Sequence, residues 1–142
     1  MAKYLIMLWF TLGFLNSNQV QQPSDQIVGI WFNEDRTNKI EIYKTKDSYS
    51  GKVVWISQLD GHSGTQPKDK HNPNPDLRSR NIMGMDIMTG LRYEEGKWIK
   101  GTIYSPKRGV YANCKVELLS KNRLKLFVSK SGITKTQTWT RE

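Results

Sequence analysis

The sequence predicts an all-β protein built as an eight-stranded, up-and-down antiparallel β-barrel. Short runs of β-branched and aromatic residues recur along the chain, turn residues separate them, and no window shows a helical period with caps. Closing such a sheet removes its exposed edges and leaves an interior that side chains fill or that holds one small ligand. The chain of 142 residues suits one such domain and is too short for two.

Residues 1–18 are interpreted as a signal peptide. Lys3 precedes an apolar run from Tyr4 to Leu15, and small polar residues follow that run. The run is shorter than the roughly 20 residues that a helix needs to span a bilayer. We therefore expect cleavage, export to the periplasm or the cell exterior, and a mature barrel domain over 19–142 that is not an integral membrane protein. An uncleaved N-terminal anchor is the alternative.

Three strands are predicted before a long loop. The apolar run 27–32 forms the first, the alternating segment 39–44 forms the second, and 49–59 forms the third. In the third strand, alternate residues from Tyr49 to Trp55 are predicted to share one face.

The segment 68–80 interrupts this strand pattern. Pro73 and Pro75 lack backbone N–H groups and push the residues before them toward extended conformations, so the segment cannot join a central ladder. We expect an ordered loop that lies over one end of the barrel. Asp69 and Asn72 are expected chiefly to accept hydrogen bonds from nearby backbone N–H groups.

Five strands are predicted after this loop. In the first of them, Gly84 indicates a bend or bulge. In the third, alternate residues from Val110 to Leu118 are expected to face the core, including Cys114, the only cysteine. The five predicted strands are 82–88, 98–104, 110–118, 124–129 and 134–141.

Eight residues of the loop and of the neighbouring rim are candidates for ligand binding. The loop residues would line a polar mouth for an anionic or sugar-like ligand, and two tyrosines would present hydroxyl groups at the rim. The alternative is structural, because such side chains also bond the local backbone or pack as aromatics. The candidates are Asp69, His71, Asn72, Asp76, Arg78, Arg80, Tyr104 and Tyr111.

The sequence shows no pattern typical of catalysis or of a metal site. Nucleophile-elbow and phosphate-loop motifs are absent, and His62 and His71 lack the two further ligands that a zinc site needs. We expect no enzyme activity, no cofactor and no metal.

The chain is basic, with a formal net charge of +9. Lysines and arginines recur in nearly every strand and turn and are not gathered into a stripe with stacking aromatics, so a nucleic-acid partner is not expected. An anionic envelope component is the partner that such a charge favours. We expect a monomer.

Gly29 and Trp31 on the first strand, with Trp139 and Arg141 on the last, resemble the closed end of lipocalin-like barrels. There a first-strand Gly-x-Trp packs against a last-strand arginine. A guanidinium on a tryptophan face contributes about 0.5–2 kcal/mol, and the first and last strands adjoin in a closed barrel. These four residues are expected to fasten the barrel shut.

The wider pattern resembles the bacterial family named domain of unknown function 2147. The resemblance extends over the mature chain and is most specific in the loop, where Asp69-x-x-Asn72-Pro73-Asn74-Pro75 is followed by Leu77-Arg78-x-Arg80. It implies a small exported lipocalin-like barrel and supplies no function. The chain departs from the family at Ser105, where the family tends to have a carboxylate, and at Leu126-Phe127-Val128, where it tends to have Arg-Gly-Tyr.

Two functions remain open. One is a binding module that holds a small hydrophobic or amphipathic molecule, or an envelope component, in the mouth of the barrel. The other is an envelope interaction protein with a filled barrel and no small ligand. A cavity of roughly 300 Å³ or more is expected only in the first case. Methionines 83, 85 and 88 would line that cavity or fill the core.

Overall fold

A computed structural model describes residues 21–57 and 66–142. Eight antiparallel strands follow one another around a closed barrel, and the last pairs with the first. The predicted eight-stranded up-and-down barrel is confirmed. The signal peptide predicted over 1–18 lies outside the described residues. The strands are β1 (Gly29–Phe32), β2 (Asn38–Lys44), β3 (Tyr49–Ile56), β4 (Asp86–Glu94), β5 (Lys97–Ser105), β6 (Val110–Ser120), β7 (Arg123–Lys130) and β8 (Ile133–Arg141).

The two ends of the barrel carry different connections. One end, which we name the closed end, has the short turns after β2, β4 and β6 and a 3-10 helix, Pro23–Ile27. The other, which we name the loop end, has the turns after β1, β5 and β7 and the long connection from β3 to β4. The proline-rich segment therefore stands at the opposite end from the helix.

The 3-10 helix closes its end of the barrel through hydrogen bonds to core aromatics. The indole N–H groups of Trp31 and Trp98 donate to the carbonyl oxygens of Ile27 and Ser24, each over 2.9 Å. Ile27 is fully buried. The prediction that Ile27 begins the first strand is wrong, because Pro23 fixes a helical φ at the start of a segment too short to show a helical period.

Arg141 fastens the last strand to the first at this end. Its guanidinium lies 4.2 Å from the centre of the Trp31 ring. It also donates to the carbonyl oxygens of Val28 and Gln26 at 2.9 and 2.7 Å. A Cβ at Gly29 would stand 2.5 Å from the same guanidinium, so only glycine leaves the arginine this position.

The core occupies the closed half of the barrel. At Gly101 a Cβ would stand 2.6 Å from Leu91 and 2.8 Å from the Cys114 sulfur, which leaves no room for a larger residue. Burial raises the pKa of the Cys114 thiol to about 12, so the thiol stays protonated as a small core group. The fully buried apolar residues include Trp31, Ile40, Ile42, Met88, Leu91, Trp98, Val116, Leu124 and Leu126.

Two further strand predictions are corrected. β4 begins at Asp86, not at residue 82, because the chain bends through Gly84, whose φ is +80°. Trp55 pairs with Lys39 across a bulge in the β2–β3 register, and its ring packs edge-on against Phe32. The extra residue turns Trp55 away from the face that it was predicted to share with Tyr49.

Candidate functional site

A buried carboxylate organises the proline-rich loop. Asp69 is 0% exposed and accepts hydrogen bonds from the Tyr104 hydroxyl at 2.5 Å and the Asn72 amide at 2.8 Å. The Arg80 guanidinium donates to the same carboxylate through Nε and Nη2, each at 3.0 Å. Four of the predicted site residues therefore form one cluster, and it ties the loop to β5.

The charge of this cluster is stabilised by its hydrogen bonds. Burial raises the pKa of Asp69, but donation from Tyr104, Asn72 and Arg80 outweighs burial and leaves that pKa below its ordinary value. Burial and the neighbouring carboxylate raise the pKa of Tyr104 to about 12. At neutral pH Asp69 is therefore ionised and the Tyr104 hydroxyl keeps its proton and donates it in a hydrogen bond. The cluster thus has a structural role, which is to hold the loop on β5.

The prediction that Asp69 chiefly accepts from backbone donors is wrong, since its carboxylate is occupied by three side chains. Asn72 does accept from a backbone N–H, that of Asn74, at 2.8 Å. Arg78 also contributes to loop order, because its Nε donates to the carbonyl oxygen of Asn72 at 2.8 Å.

The other predicted residues stand at the margin of this cluster. The side chains of His71, Asp76 and Arg78 are exposed. A Cβ at Gly109 would lie 1.9 Å from the carbonyl oxygen of His71, so the loop packs directly on the β5–β6 turn. Tyr111 is 43% exposed and stacks on Tyr104 with ring centres 4.5 Å apart. The loop therefore flanks the β5 side of the loop end.

Within residues 21–57 and 66–142, no segment covers the β8 side of the loop end. Inward positions on β8 alternate from Trp139, which is 2% exposed, through Gln137 and Lys135 to Ile133, which is 64% exposed. The register with β7 places Gln137 opposite Leu126 and Lys135 opposite Val128, both on the inner face. The same face is therefore core at one end and solvent-exposed at the other.

Six inward-facing residues define what we name the mouth. Ile103, Ala112 and Val128 are half-buried, and the first two are cross-strand partners on the face that carries Gly101 and Cys114. Two cations accompany this apolar surface, and one of them, Lys130, donates to the carbonyl oxygen of Tyr111 at 2.7 Å. The mouth comprises Ile103, Ala112, Val128, Lys130, Ile133 and Lys135.

None of the mouth residues was a predicted site residue. The alternation of inward and outward residues along β8, followed from Trp139 back to Ile133, could have identified part of the mouth. The proline-rich loop drew the prediction because its composition is unusual, whereas the mouth consists of ordinary strand residues.

Two surface depressions lie outside the barrel. The larger, about 490 Å³, is lined by residues that include Ile99, Lys115 and Phe127, and the smaller, about 220 Å³, lies beside it. Asn113 and Ser129 line both, and Ala112 and Lys130 of the mouth also line the smaller one. Asn113 and Ser129 alternate with core residues such as Cys114, so the depressions run across the outer faces of β5, β6 and β7.

No group of three or more His, Cys, Asp or Glu side chains gathers at metal-binding distance within 21–57 and 66–142. His62, the predicted partner of His71 in the metal-site alternative, lies outside the described residues. Over the same ranges, no helix has the length and apolar character to cross a membrane.

Comparisons with known proteins support the fold. The sequence model of the family described as "Uncharacterized protein conserved in bacteria (DUF2147)" matches residues 29–141, which confirms the resemblance seen in the loop. A solved structure, protein HP1028 from Helicobacter pylori, described as belonging to the lipocalin family, superposes with a TM-score of 0.70 at 24% identity. The alignment covers 81% of this chain and 82% of that one. No curated protein matches the sequence.

Proposed function

This chain belongs to the bacterial DUF2147 family, and we propose that it is an exported, non-catalytic barrel that binds a small amphipathic anion in its mouth. Export is proposed from the leader pattern of residues 1–18. The proposed site is the mouth at the β8 side of the loop end, and the proline-rich loop supports its β5 side.

One observation carries this proposal: a single inner face changes from buried to exposed along β8. Ile133 is 64% exposed on the face that buries Trp139. Contiguous exposed apolar surface, rather than a single exposed side chain, marks a binding site, and Ile133 shares its face with the half-buried Ile103 and Val128. The exposed part of the inner face is therefore the surface at which a ligand would gain most from burial.

The chemistry of the mouth favours an amphipathic anion. Ile103, Val128 and Ile133 offer apolar surface, and Lys135 adds an ammonium group on a flexible stem at the same face. The filled core prevents deep insertion. An alkyl segment that buries about four methylenes gains roughly 3 kcal/mol, whereas a dissociation constant of about 1 mM corresponds to a net gain of about 4 kcal/mol. Because association also has a cost, we expect weak binding, with a dissociation constant of about 1 mM or higher.

A second candidate function is interaction with an envelope macromolecule through the outer surface. The filled closed half and the depression of about 490 Å³ on the outer face favour it. In that case the mouth would have no small ligand.

A pair of neighbouring substitutions distinguishes the two. Val128 faces the mouth and lines neither outer depression, whereas Ser129 lines both. We expect Val128→Trp to fill the mouth and weaken binding of dodecanoate at least about tenfold, and Ser129→Trp to leave binding unchanged. Titration calorimetry measures both, with circular dichroism as the check on folding and Val128→Phe as a milder filling variant. The reverse pattern would place the ligand in the outer depression, and no binding to wild type would remove the proposal.

Native mass spectrometry of protein purified from its own cell envelope identifies the natural ligand class. We expect a retained mass consistent with an acidic amphiphile, and we expect Val128→Trp protein isolated in the same way to lack it. A retained mass that is equally abundant in both proteins would contradict binding in the mouth.

A further inference from the structure

Residues 133–137 of β8, which lie toward the loop end, have no strand paired along one backbone edge within the described residues. β8 pairs with β1 only at Trp31↔Arg141 and Phe32↔Thr140, whereas it pairs with β7 along its whole length. No other strand of the described ranges pairs with residues 133–137, and all five are exposed. The cause is the short β1, because the chain turns away at Asn33 before it reaches the level of Thr138.

The direction of the free amides follows from their neighbours. The N–H of Glu142 donates to Ile30 of β1 at 2.9 Å, while the N–H of Arg141 donates to Asn122 on the opposite side. Even-numbered amides of β8 therefore point toward β1. Thr134 and Thr136 continue this series beyond the end of β1, so their N–H and C=O groups face the open edge.

A carboxylate already occupies the first position of this edge. The N–H of Thr138 donates to the Glu34 side chain at 3.1 Å, which takes the place of a strand carbonyl. The same edge segment contains Lys135, which lies at an inward position of β8 among residues that otherwise favour strand pairing. An inward lysine on an edge strand opposes unspecific pairing with other strands. A partner strand with an acidic residue opposite the lysine would not meet this obstacle.

We propose that residues 133–137 of β8 bind an extended peptide segment as an added antiparallel strand, with an acidic side chain opposite Lys135. Main-chain hydrogen bonds to Thr134 and Thr136 would supply affinity, and the acid opposite Lys135 would supply selectivity. The proposal concerns a polypeptide partner at the barrel edge and does not depend on small-ligand binding in the mouth.

A second copy of the chain fits this edge less well. An antiparallel pair of β8 strands that uses Thr134 and Thr136 of both copies must be centred on residue 135. That register places Lys135 directly opposite Lys135 of the second copy, and like charges at directly opposed positions destabilise a strand pair. The net charge of +9 adds repulsion at longer range.

Amide hydrogen exchange with a designed probe tests the proposal. The probe is a blocked heptapeptide of alternating threonine and valine with glutamate at its centre. We expect millimolar probe to slow exchange of the Thr134 and Thr136 amides about tenfold or more, without change at Lys135, whose amide already faces β7. A matched peptide with N-methyl groups on the two residues flanking glutamate should give no protection.

Charge reversal tests the selectivity. A peptide with lysine at its centre should bind wild type about fivefold or more weakly than the glutamate peptide, and Lys135→Glu should reverse that order. Because Lys135 is exposed, we expect Lys135→Glu to fold as the wild type does, and the melting midpoint checks this. Absence of protection at Thr134 and Thr136, equal binding of the N-methylated peptide, or an unchanged preference in Lys135→Glu would each overturn the proposal. Protection that exists without peptide and disappears on dilution would also overturn it in favour of self-pairing.

Discussion

The two ends of the barrel are built from the same strands but differ in what covers their inner faces. At the closed end, a 3-10 helix and the Arg141 guanidinium lie over the aromatic core, and polar groups of the helix accept from Trp31 and Trp98. At the loop end, a buried Asp69 holds the proline-rich loop against β5, and none of the residues that the structure describes covers the β8 side.

This difference separates stability from binding. The closed end fixes a filled core, and residues there are expected to matter for folding whether or not a ligand is present. The loop end presents inward residues to solvent on a frame that the core keeps rigid, which is how binding surfaces are commonly arranged. The unusual composition of the proline-rich loop thus reflects how the loop is attached to β5, whereas the exposed face beside it is the proposed binding surface.

The largest contrast is expected between a core tryptophan and a mouth isoleucine. Trp31→Ala should lower the free energy of unfolding by about 4 kcal/mol, because it empties a large volume at the closed end. Ile133→Ala should change it by less than about 0.5 kcal/mol, since that side chain is mostly exposed. Urea denaturation measures both. Equal effects would contradict the difference in burial between the closed end and the mouth.

Asp69→Asn should lower the free energy of unfolding by about 3 kcal/mol, because a buried anion with three side-chain donors loses its charge and part of its acceptor capacity. Asp76→Asn, an exposed change in the same loop, is the matched control and should be nearly neutral. A small effect at Asp69 would show that the loop is held by other contacts.

Arg141→Ala should lower the free energy of unfolding by about 2 kcal/mol through loss of the contact with Trp31 and of the bonds to Val28 and Gln26. Arg141→Lys should recover only part of this, because a single ammonium cannot reach all three partners. Full recovery with lysine would mean that charge alone fastens β8 to β1.

The smallest effect is expected in the pH dependence of stability. The folded state holds the pKa of Asp69 below its ordinary value, so the unfolded state binds the proton more readily. The stabilisation from this group is present above about pH 4 and is lost as the pH falls through the folded pKa. Melting midpoints between about pH 5 and pH 2 should therefore fall more steeply in wild type than in Asp69→Asn. Parallel curves would contradict the role of Asp69 as a buried anion.

Strand alternation and turn residues predict the barrel because both are local signals. The Trp31–Arg141 contact was expected from the resemblance to lipocalin-like barrels, and the pairing of β1 with β8 allows it. The 3-10 helix was missed because a five-residue segment is too short for a periodic signal, and Ile27 looks like a strand residue by composition.

The candidate site was less predictable because its contacts are distant in the chain. Asp69 and Tyr104 are 35 residues apart, and the local chemistry of Asp and Asn favours backbone acceptors instead. The exposure of Ile133 depends on where β1 ends, which is a property of the β1–β2 turn and leaves no mark in the sequence of β8.

Isoleucine methyl groups test most directly whether the loop end binds and the closed end is filled. Ile27 and Ile42 lie in the core, Ile103 and Ile133 in the mouth, and Ile99 in the outer depression. Nuclear magnetic resonance of isotope-labelled isoleucine methyl groups during a titration with dodecanoate should show saturable shifts at Ile103 and Ile133, with Ile27 and Ile42 unchanged. Shifts confined to Ile99, or none at Ile103 and Ile133, would contradict a binding site in the mouth.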